Sequence, residues 1–162
     1  ILTFRDEYID LAIEDLIQYA KNIAKNSYMI DEFLAKEIKS GKITKEQFTH
    51  SSQHIKLHGH CHQKALASTG STKFVLSFPT NYTVEEIPSG CCGMAGSFGF
   101  EKEHYDMSMK VGELVLFPVV RDCEPDTIIA APGTSCRHQI KDGTKRDALH
   151  PVEIMYDALD IR

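Results

Sequence analysis

Apolar residues fall at helical spacing from Arg5 to about Asn26, where Ile9, Ala12, Ile13, Leu16, Ile17 and Ala20 recur three and four positions apart. This predicts one long amphipathic helix. Ser27 is placed to cap a second helix, with Ile30, Phe33, Leu34 and Ile38 on its inner face and Gly41 at its end. Lys45 to Phe48 reads as one further turn. The period then shortens. His54–His58 reads as a short strand that runs into His58-Gly59-His60-Cys61-His62 and a helix from about Gln63. Lys73–Phe78, rich in β-formers and bounded by Pro79, predicts a second strand, and Thr83–Ile87, ending at Pro88, a third. Ser89 to Gly99 is a loop with glycines at 90, 93, 96 and 99, followed by a predicted helix from Glu101 to about Leu116. Thr127–Ala131 predicts the last strand, entering the loop Pro132-Gly133-Thr134-Ser135-Cys136, and Pro151 opens a closing helix.

Strands alternating with helices predict an α/β fold with a small, largely parallel sheet flanked by helices and cysteine loops at the carboxyl ends of the strands. Residues 1–50 read as a helical N-terminal segment packed on a cysteine-rich α/β domain at 51–162. The first residue is Ile1 and helix-like sequence begins at once, which reads as a piece of a longer protein.

The composition narrows the class. With 42% hydrophobic and 25% charged residues, the 162-residue chain is neither disordered nor collagen-like. No apolar run approaches the ~20 residues of a membrane span. A net charge of −5 without a Lys/Arg cluster argues against a nucleic-acid partner. Five cysteines make an odd number for a secreted disulfide scaffold, so a reducing, cytoplasmic setting fits better, and there clustered cysteines serve as metal ligands or redox groups.

Four of them, Cys61, Cys91, Cys92 and Cys136, lie in loops that each follow a predicted strand, so they can converge at one edge of the sheet. Four thiolates are the usual complement for tetrahedral zinc or an iron–sulfur cluster. Gly90 and Gly93 let Cys91 and Cys92, whose side chains would otherwise diverge, approach one centre and bring backbone N–H groups to the sulfurs. His60 and His62 flank Cys61 and are candidate members of the site; His58 shares their alternation, and His138 lies two residues after Cys136. His104 follows the Cys-Cys loop and reads equally as a surface residue, while His150 reads as the residue leading into the Pro151 helix. Cys123, in a connector without glycines, reads as a small buried hydrophobe. The competing readings are a structural zinc module that docks a partner domain, a zinc hydrolase built on His58, His60 and His62, and a dithiol at Cys91-Cys92. The hydrolase lacks an Asp or Glu in its loop, and a bond between adjacent cysteines is strained. No Ser-His-Asp arrangement, phosphate loop or dinucleotide fingerprint is present.

These residues carry a resemblance. Gly90-Cys91-Cys92-Gly93, with Cys61 about thirty residues earlier and Cys136 about forty later, resembles the cysteine-rich CCG domain. That domain occurs in heterodisulfide reductase, in anaerobic glycerol-3-phosphate dehydrogenase and in lactate-oxidation iron–sulfur proteins. Leu57 to Lys64, Ser89 to Phe98 and Gly133 to Ile140 look most like the C-terminal part of FAD-linked oxidases of the D-lactate or 2-hydroxyglutarate dehydrogenase kind. The opening Leu2 to Tyr8 looks like the segment joining the two halves of their CCG region. The family pattern often ends in Cys-x-x-Cys; here Cys136 matches the second cysteine and Gly133 stands at the first. Four thiolates remain, which suits zinc or a 4Fe-4S cluster and argues against a larger, non-cubane cluster.

The resemblance implies electron transfer. Cys61, Cys91, Cys92 and Cys136 would hold the metal or cluster, with Gly90, Gly93, His60 and His62 around it. FAD would belong to the parent protein only, whose flavin and ferredoxin-like domains would be this chain's partners. The parent would oxidise a small 2-hydroxy acid and pass electrons to a quinone or other acceptor. It would sit in the cytoplasm or at the periphery of the inner membrane. The chain alone would not turn over substrate.

Overall fold

The computed structural model describes residues 1–160, so the last two positions of the predicted 51–162 domain lie outside the described residues. Strands β1 (Gln53–Leu57), β2 (Tyr82–Glu86), β3 (Ile128–Ala130) and β4 (Ala148–Leu149) form one sheet in the order β2-β1-β3-β4. Every pairing in it is parallel. This is the predicted α/β class, with β4 an addition too short for the sequence pattern to reveal.

β1 is central, pairing with β2 on one side and β3 on the other, and its alternation buries one of its faces. Ile55 and Leu57, each 0% exposed, point to one side and pack with Val75, Leu76, Phe48, Ile154 and Met155. The other side of the sheet carries Ile129 and Ala131, which pack with Ile87, Leu116, Phe117, Val120 and Ile140. Cys92 and Cys136 belong to this second core. The sheet order reverses between β1 and β3, and in open α/β sheets ligands bind outside the strand ends at such a point.

Several predicted elements come out differently. The long N-terminal helix is broken into α1 (Leu2–Arg5), α2 (Glu7–Asp10), a 3-10 turn at Glu14–Leu16 and α3 (Ile17–Asn26). The chain doubles back because Arg5 is held at its far end: Nε donates to the Ser27 carbonyl at 2.6 Å, and the guanidinium pairs with Glu32. Extended backbone at Ile13 (φ −68°, ψ 155°) makes the bend. Ser27 does not cap the second helix, α4 (Ile30–Lys39); its hydroxyl bonds back to Ile23, and Glu32 instead accepts the Met29 N–H at 2.9 Å.

The predicted strand at Lys73–Phe78 is helix α6 (Gly70–Leu76). Its buried residues Thr72, Val75 and Leu76 stand three and four apart, so a helix buries all of them against one side of the sheet where a strand would turn Val75 to the opposite face. The predicted helix from Glu101 to Leu116 is α7 (Tyr105–Glu113) and then a separate α8 (Leu116–Asp122). Pro118 explains the break: in an unbroken helix its ring would strike the Leu114 carbonyl, whereas in the first turn of α8 it fits. Phe117, fully buried, lies between Gly112 of α7 and Gly143, where an added Cβ would come within 2.3 and 2.4 Å of its ring. Finally, Cys136 is not in a loop but in the first turn of α9 (Thr134–Thr144). α5 (Cys61–Leu66) starts two residues earlier than expected, and α10 (Pro151–Asp157) begins at Pro151 as read, with His150 Nδ1 accepting the Val152 N–H at 3.1 Å.

Candidate metal centre

The carboxyl ends of β1, β2 and β3 each pass directly into a cysteine segment. After β1 the chain runs His58-Gly59-His60 and starts α5 at Cys61. After β2 it runs through Ser89 into Cys91-Cys92. After β3 it reaches α9 and Cys136. Topology alone therefore gathers side chains some 75 residues apart, from Cys61 to Cys136, at one edge.

The adjacent cysteines diverge, and each finds a different partner. Cys92 and Cys136 turn inward and are buried. Their sulfurs and a ring nitrogen of His58 all lie within 4.8 Å of one another. The pKa of Cys92 is pulled down to about 4, first by the hydrogen bond from Cys136 and then by His58 and the Met94 N–H, against the opposing effect of burial. The pKa of Cys136 is pushed up by the same bond, by burial and by the charge of its cysteine neighbours. The hydrogen bond between the two sulfurs favours the ionised form of Cys92, the form that binds metal, and disfavours it at Cys136.

Cys61 and Cys91 form the outer pair. Cys61 is exposed and Cys91 half-buried. Burial raises the Cys61 pKa, and Cys91 beside it raises it further. Both outer cysteines act on Cys136, so all four candidate ligands belong to one electrostatic neighbourhood. Backbone donors face the sulfurs: the Gly93 N–H donates to Cys91 Sγ at 3.3 Å, and the His62 N–H is aimed at Cys61. Cys123 stands apart, its thiol donating to the Val119 carbonyl at 3.0 Å with Lys56 and Arg146 as charged neighbours.

The histidine grouped with the buried sulfurs is His58, which the sequence placed only in a three-histidine alternation. It is fully buried; Nδ1 pairs with Ser89 Oγ at 2.7 Å, and Nε2 has no hydrogen-bond partner. A buried polar atom left unsatisfied costs about 1–3 kcal/mol, so this nitrogen calls for a ligand. The alternation misled because the strand stops at Leu57: only His58 projects from the sheet edge, whereas His60 precedes α5 and His62 lies within its exposed first turn. The signal that could have found it is position. His58 lies one residue beyond Leu57 and so points to the opposite face, the side where Cys92 and Cys136 sit.

His60 is half-buried, and burial lowers its pKa. Its ring packs against Gly133, where an added Cβ would lie 2.6 Å from His60 Cδ2 and 3.0 Å from Cys136 Sγ. His60, His62, Gln63 and Gly133 line one wall of a cavity of about 390 Å³ beside the cysteines.

The loop is held from several sides. Lys64, on α5, donates through Nζ to the carbonyls of Ser89 and of Gly90, the latter at 3.1 Å. Gly93 has a left-handed φ of +105°, and an added Cβ would lie 2.2 Å from the Ser108 carbonyl oxygen, so no other residue fits there. Gly90 has open space around its Cα, and its contribution is the carbonyl that Lys64 binds. Gln139, one turn beyond Cys136, donates to Ser108 Oγ at 2.8 Å and so ties α9 to α7. On the other flank Gln63 donates to the buried Asp31 at 3.2 Å, fixing α5 to α4.

The donors suit a soft or borderline metal: two buried sulfurs, an orphaned imidazole nitrogen and two further thiols at the solvent side. Such a set fits zinc or an iron–sulfur group and does not fit magnesium or calcium, which take oxygen ligands.

No family profile matches this chain, and no solved structure does. It is similar to D-2-hydroxyglutarate dehydrogenase of Escherichia coli K12, at 26% identity over 160 residues that make up 98% of this chain and 15% of the relative. The C-subunit of anaerobic glycerol-3-phosphate dehydrogenase from the same organism is 30% identical over 102 residues, 63% of this chain and 25% of that relative. D-2-hydroxyglutarate dehydrogenase of Pseudomonas putida is 34% identical over 104 residues, 62% of this chain and 10% of the relative. The chain therefore spans a quarter or less of each of these proteins. Both kinds of relative are among those that the cysteine spacing resembles.

Proposed function

We propose that this chain is the metal- or iron–sulfur-bearing electron-transfer part of a flavin-linked oxidoreductase acting on a small 2-hydroxy acid. The observations that support this reading are the grouping of His58, Cys92 and Cys136 at one sheet edge, with Cys61 and Cys91 near enough to act on Cys136 by their charge, in a chain similar to two dehydrogenases. An iron–sulfur group bound there would supply one-electron redox chemistry. The chain's own residues hold and tune it. Cys61, Cys91, Cys92 and Cys136 offer thiolates. The backbone around Gly93 offers N–H donors. Ile87, Met94 and Ile140 keep water from the inner side. His60 and His62 border the outer side beside the cavity. FAD and the hydroxy acid belong to other domains of the parent, which would be this chain's partners together with a quinone or other acceptor. Residues 1–50 would act as a helical segment on the CCG-type domain. Among the described residues no helix is long and apolar enough to cross a membrane, which is compatible with a cytoplasmic or peripheral parent.

A closed zinc site that only docks a neighbouring domain is favoured by one observation, the mixed nitrogen and sulfur donor set. Elemental analysis and a visible spectrum of anaerobically purified protein separate the two: iron with visible absorption supports electron transfer, zinc without colour the docking module. The functional test is Cys92→Ser in the full-length parent. Bleaching of the flavin by substrate should persist, because hydride transfer occurs at the flavin. Turnover with the acceptor should fall, because a Ser hydroxyl replaces a thiolate poorly at soft metals. Loss of both in a folded protein would mean that this region shapes the substrate site.

A further inference from the structure

We propose that His58 is itself a ligand of the centre, bonding through Nε2, with Ser89 as the positioning residue that fixes its ring; this rests on the metal-site reading above. His58 follows β1 directly, and its backbone N–H donates to the Ala130 carbonyl at 2.8 Å, so the residue is fixed at the seam between the two central strands. Its side chain has no exposure. One ring nitrogen is engaged by the Ser89 hydroxyl at 2.7 Å. The other is buried, without a hydrogen-bond partner, and the ring approaches the sulfurs of Cys92 and Cys136 within 4.8 Å. Metal-bound imidazoles donate their second N–H to an acceptor that sets tautomer and ring angle. Ser89 Oγ stands where that acceptor is needed, and Ser89 is held in turn through its carbonyl by Lys64.

Charge favours the same assignment. Four thiolates around a divalent ion leave a net charge of −2, and the inner wall of this site is apolar, formed by Ile87, Met94 and Ile140. A neutral imidazole in place of one thiolate leaves −1, which costs less to bury. His58, Cys92 and Cys136 then form the buried base of the site, and the Cys61–Cys91 pair closes it from the solvent side, contributing one sulfur.

The test uses the 162-residue chain with zinc as the probe, read by X-ray absorption and by competition with a chelator. The wild type should show three sulfurs at about 2.3 Å, one nitrogen at about 2.0 Å and the scattering pattern of an imidazole. His58→Ala should lose the imidazole pattern and bind zinc at least about 10-fold more weakly. His58→Cys should bind tightly with four sulfurs, which guards against a fold defect in the alanine variant. Ser89→Ala should weaken binding by about 10- to 100-fold, with restoration by Ser89→Thr. An imidazole signal that survives His58→Ala, or four sulfurs in the wild type, overturns the assignment of His58 and leaves the metal-site reading standing. A wild-type chain that binds zinc no better than Cys92→Ser overturns both.

Discussion

The sheet edge and the N-terminal segment begin from the same kind of sequence and end in opposite states. Both carry apolar residues in regular periods. At the sheet edge these residues vanish from solvent, and buried hydrogen bonds fix the loops around them, as at Gln139–Ser108 and Gln63–Asp31. Across residues 1–29 only Ala20 is buried, while Leu11 is 79% and Ile13 67% exposed. Their period describes a face and leaves its cover undefined. The difference separates two meanings of amphipathicity: a helix that completes a core, and a helix whose apolar side leaves most of its large residues exposed. It also locates stability. Both hydrophobic cores lie on the sheet, and the thiols Cys92 and Cys136 are members of one of them, so site geometry and folding are coupled there.

The sharpest way to break this contrast is to damage the core behind the cysteines. Phe117→Ala removes a fully buried ring packed between Gly112 and Gly143, and the tight helix contacts leave little room for collapse. We expect a loss of about 3–5 kcal/mol in unfolding free energy, measured by denaturant titration. A loss below 1 kcal/mol would mean that this core carries little of the fold. Next in size is Gly93→Ala. The left-handed backbone and the approach to the Ser108 carbonyl both oppose a Cβ, so we expect about 1–3 kcal/mol of destabilisation together with weaker metal binding. Unchanged metal affinity in that variant would detach the loop's shape from the site.

The same contrast explains what could be read in advance. β1, β2 and β3 announced themselves by alternation and by the prolines and glycines that bound them, and their parallel arrangement followed from the helices between. That was enough to expect Cys61, Cys91, Cys92 and Cys136 at one sheet edge, where the structure groups Cys92 and Cys136 with His58. α6 was hidden because Lys73-Phe74-Val75-Leu76 has strong β propensity, and only packing against the sheet decides for a helix. Pro118 marked the α7–α8 break in plain sight, by a rule that concerns the residue four positions before it. His58 was legible as a histidine and not as the inward one, because its role depends on where β1 stops, and strand ends are the least determined feature of a periodic pattern.

A smaller effect should come from the ion pair that ties the N-terminal segment to α4. Arg5 pairs with Glu32 through both carboxylate oxygens, and this bond holds the Glu32 pKa below its ordinary 4.5. A carboxylate whose pKa is depressed in the folded state adds stability above its ordinary pKa and loses it as pH falls through the folded value. The anchor should therefore be intact at neutral pH and released in acid below 4.5. Partly exposed ion pairs contribute about 0.2–1 kcal/mol, so the release should be local. Hydrogen exchange in residues 2–26 should quicken at low pH while β1 stays protected. Glu32→Gln should show the fast exchange already at pH 7. If β1 loses protection in step with α1, the segment is part of the cooperative core and the contrast fails.

The smallest expected effect is the most informative about the contrast itself. Leu11→Ser combined with Leu16→Ser removes two large side chains that solvent already reaches, the second at 50% exposure. Deleting buried leucines costs several kcal/mol because apolar area returns to water and a cavity remains. Here there is little area to return and no cavity to leave, so the unfolding free energy should move by no more than about 0.5 kcal/mol. Solubility should rise, since Tyr8, Leu11, Ile13, Leu16 and Tyr19 form a continuous exposed apolar patch and large patches of this kind favour association. Both measurements are needed, because each isolates one property of the patch. A stability loss above 2 kcal/mol in dilute protein would mean that these leucines are covered within the chain, contrary to the described surface. Unchanged stability that depends on protein concentration in the wild type alone would mean that copies of the chain cover the patch for one another. Unchanged stability at every concentration, with higher solubility, leaves the apolar stripe as an uncovered face, the opposite of what the same spacing of residues produces in α6.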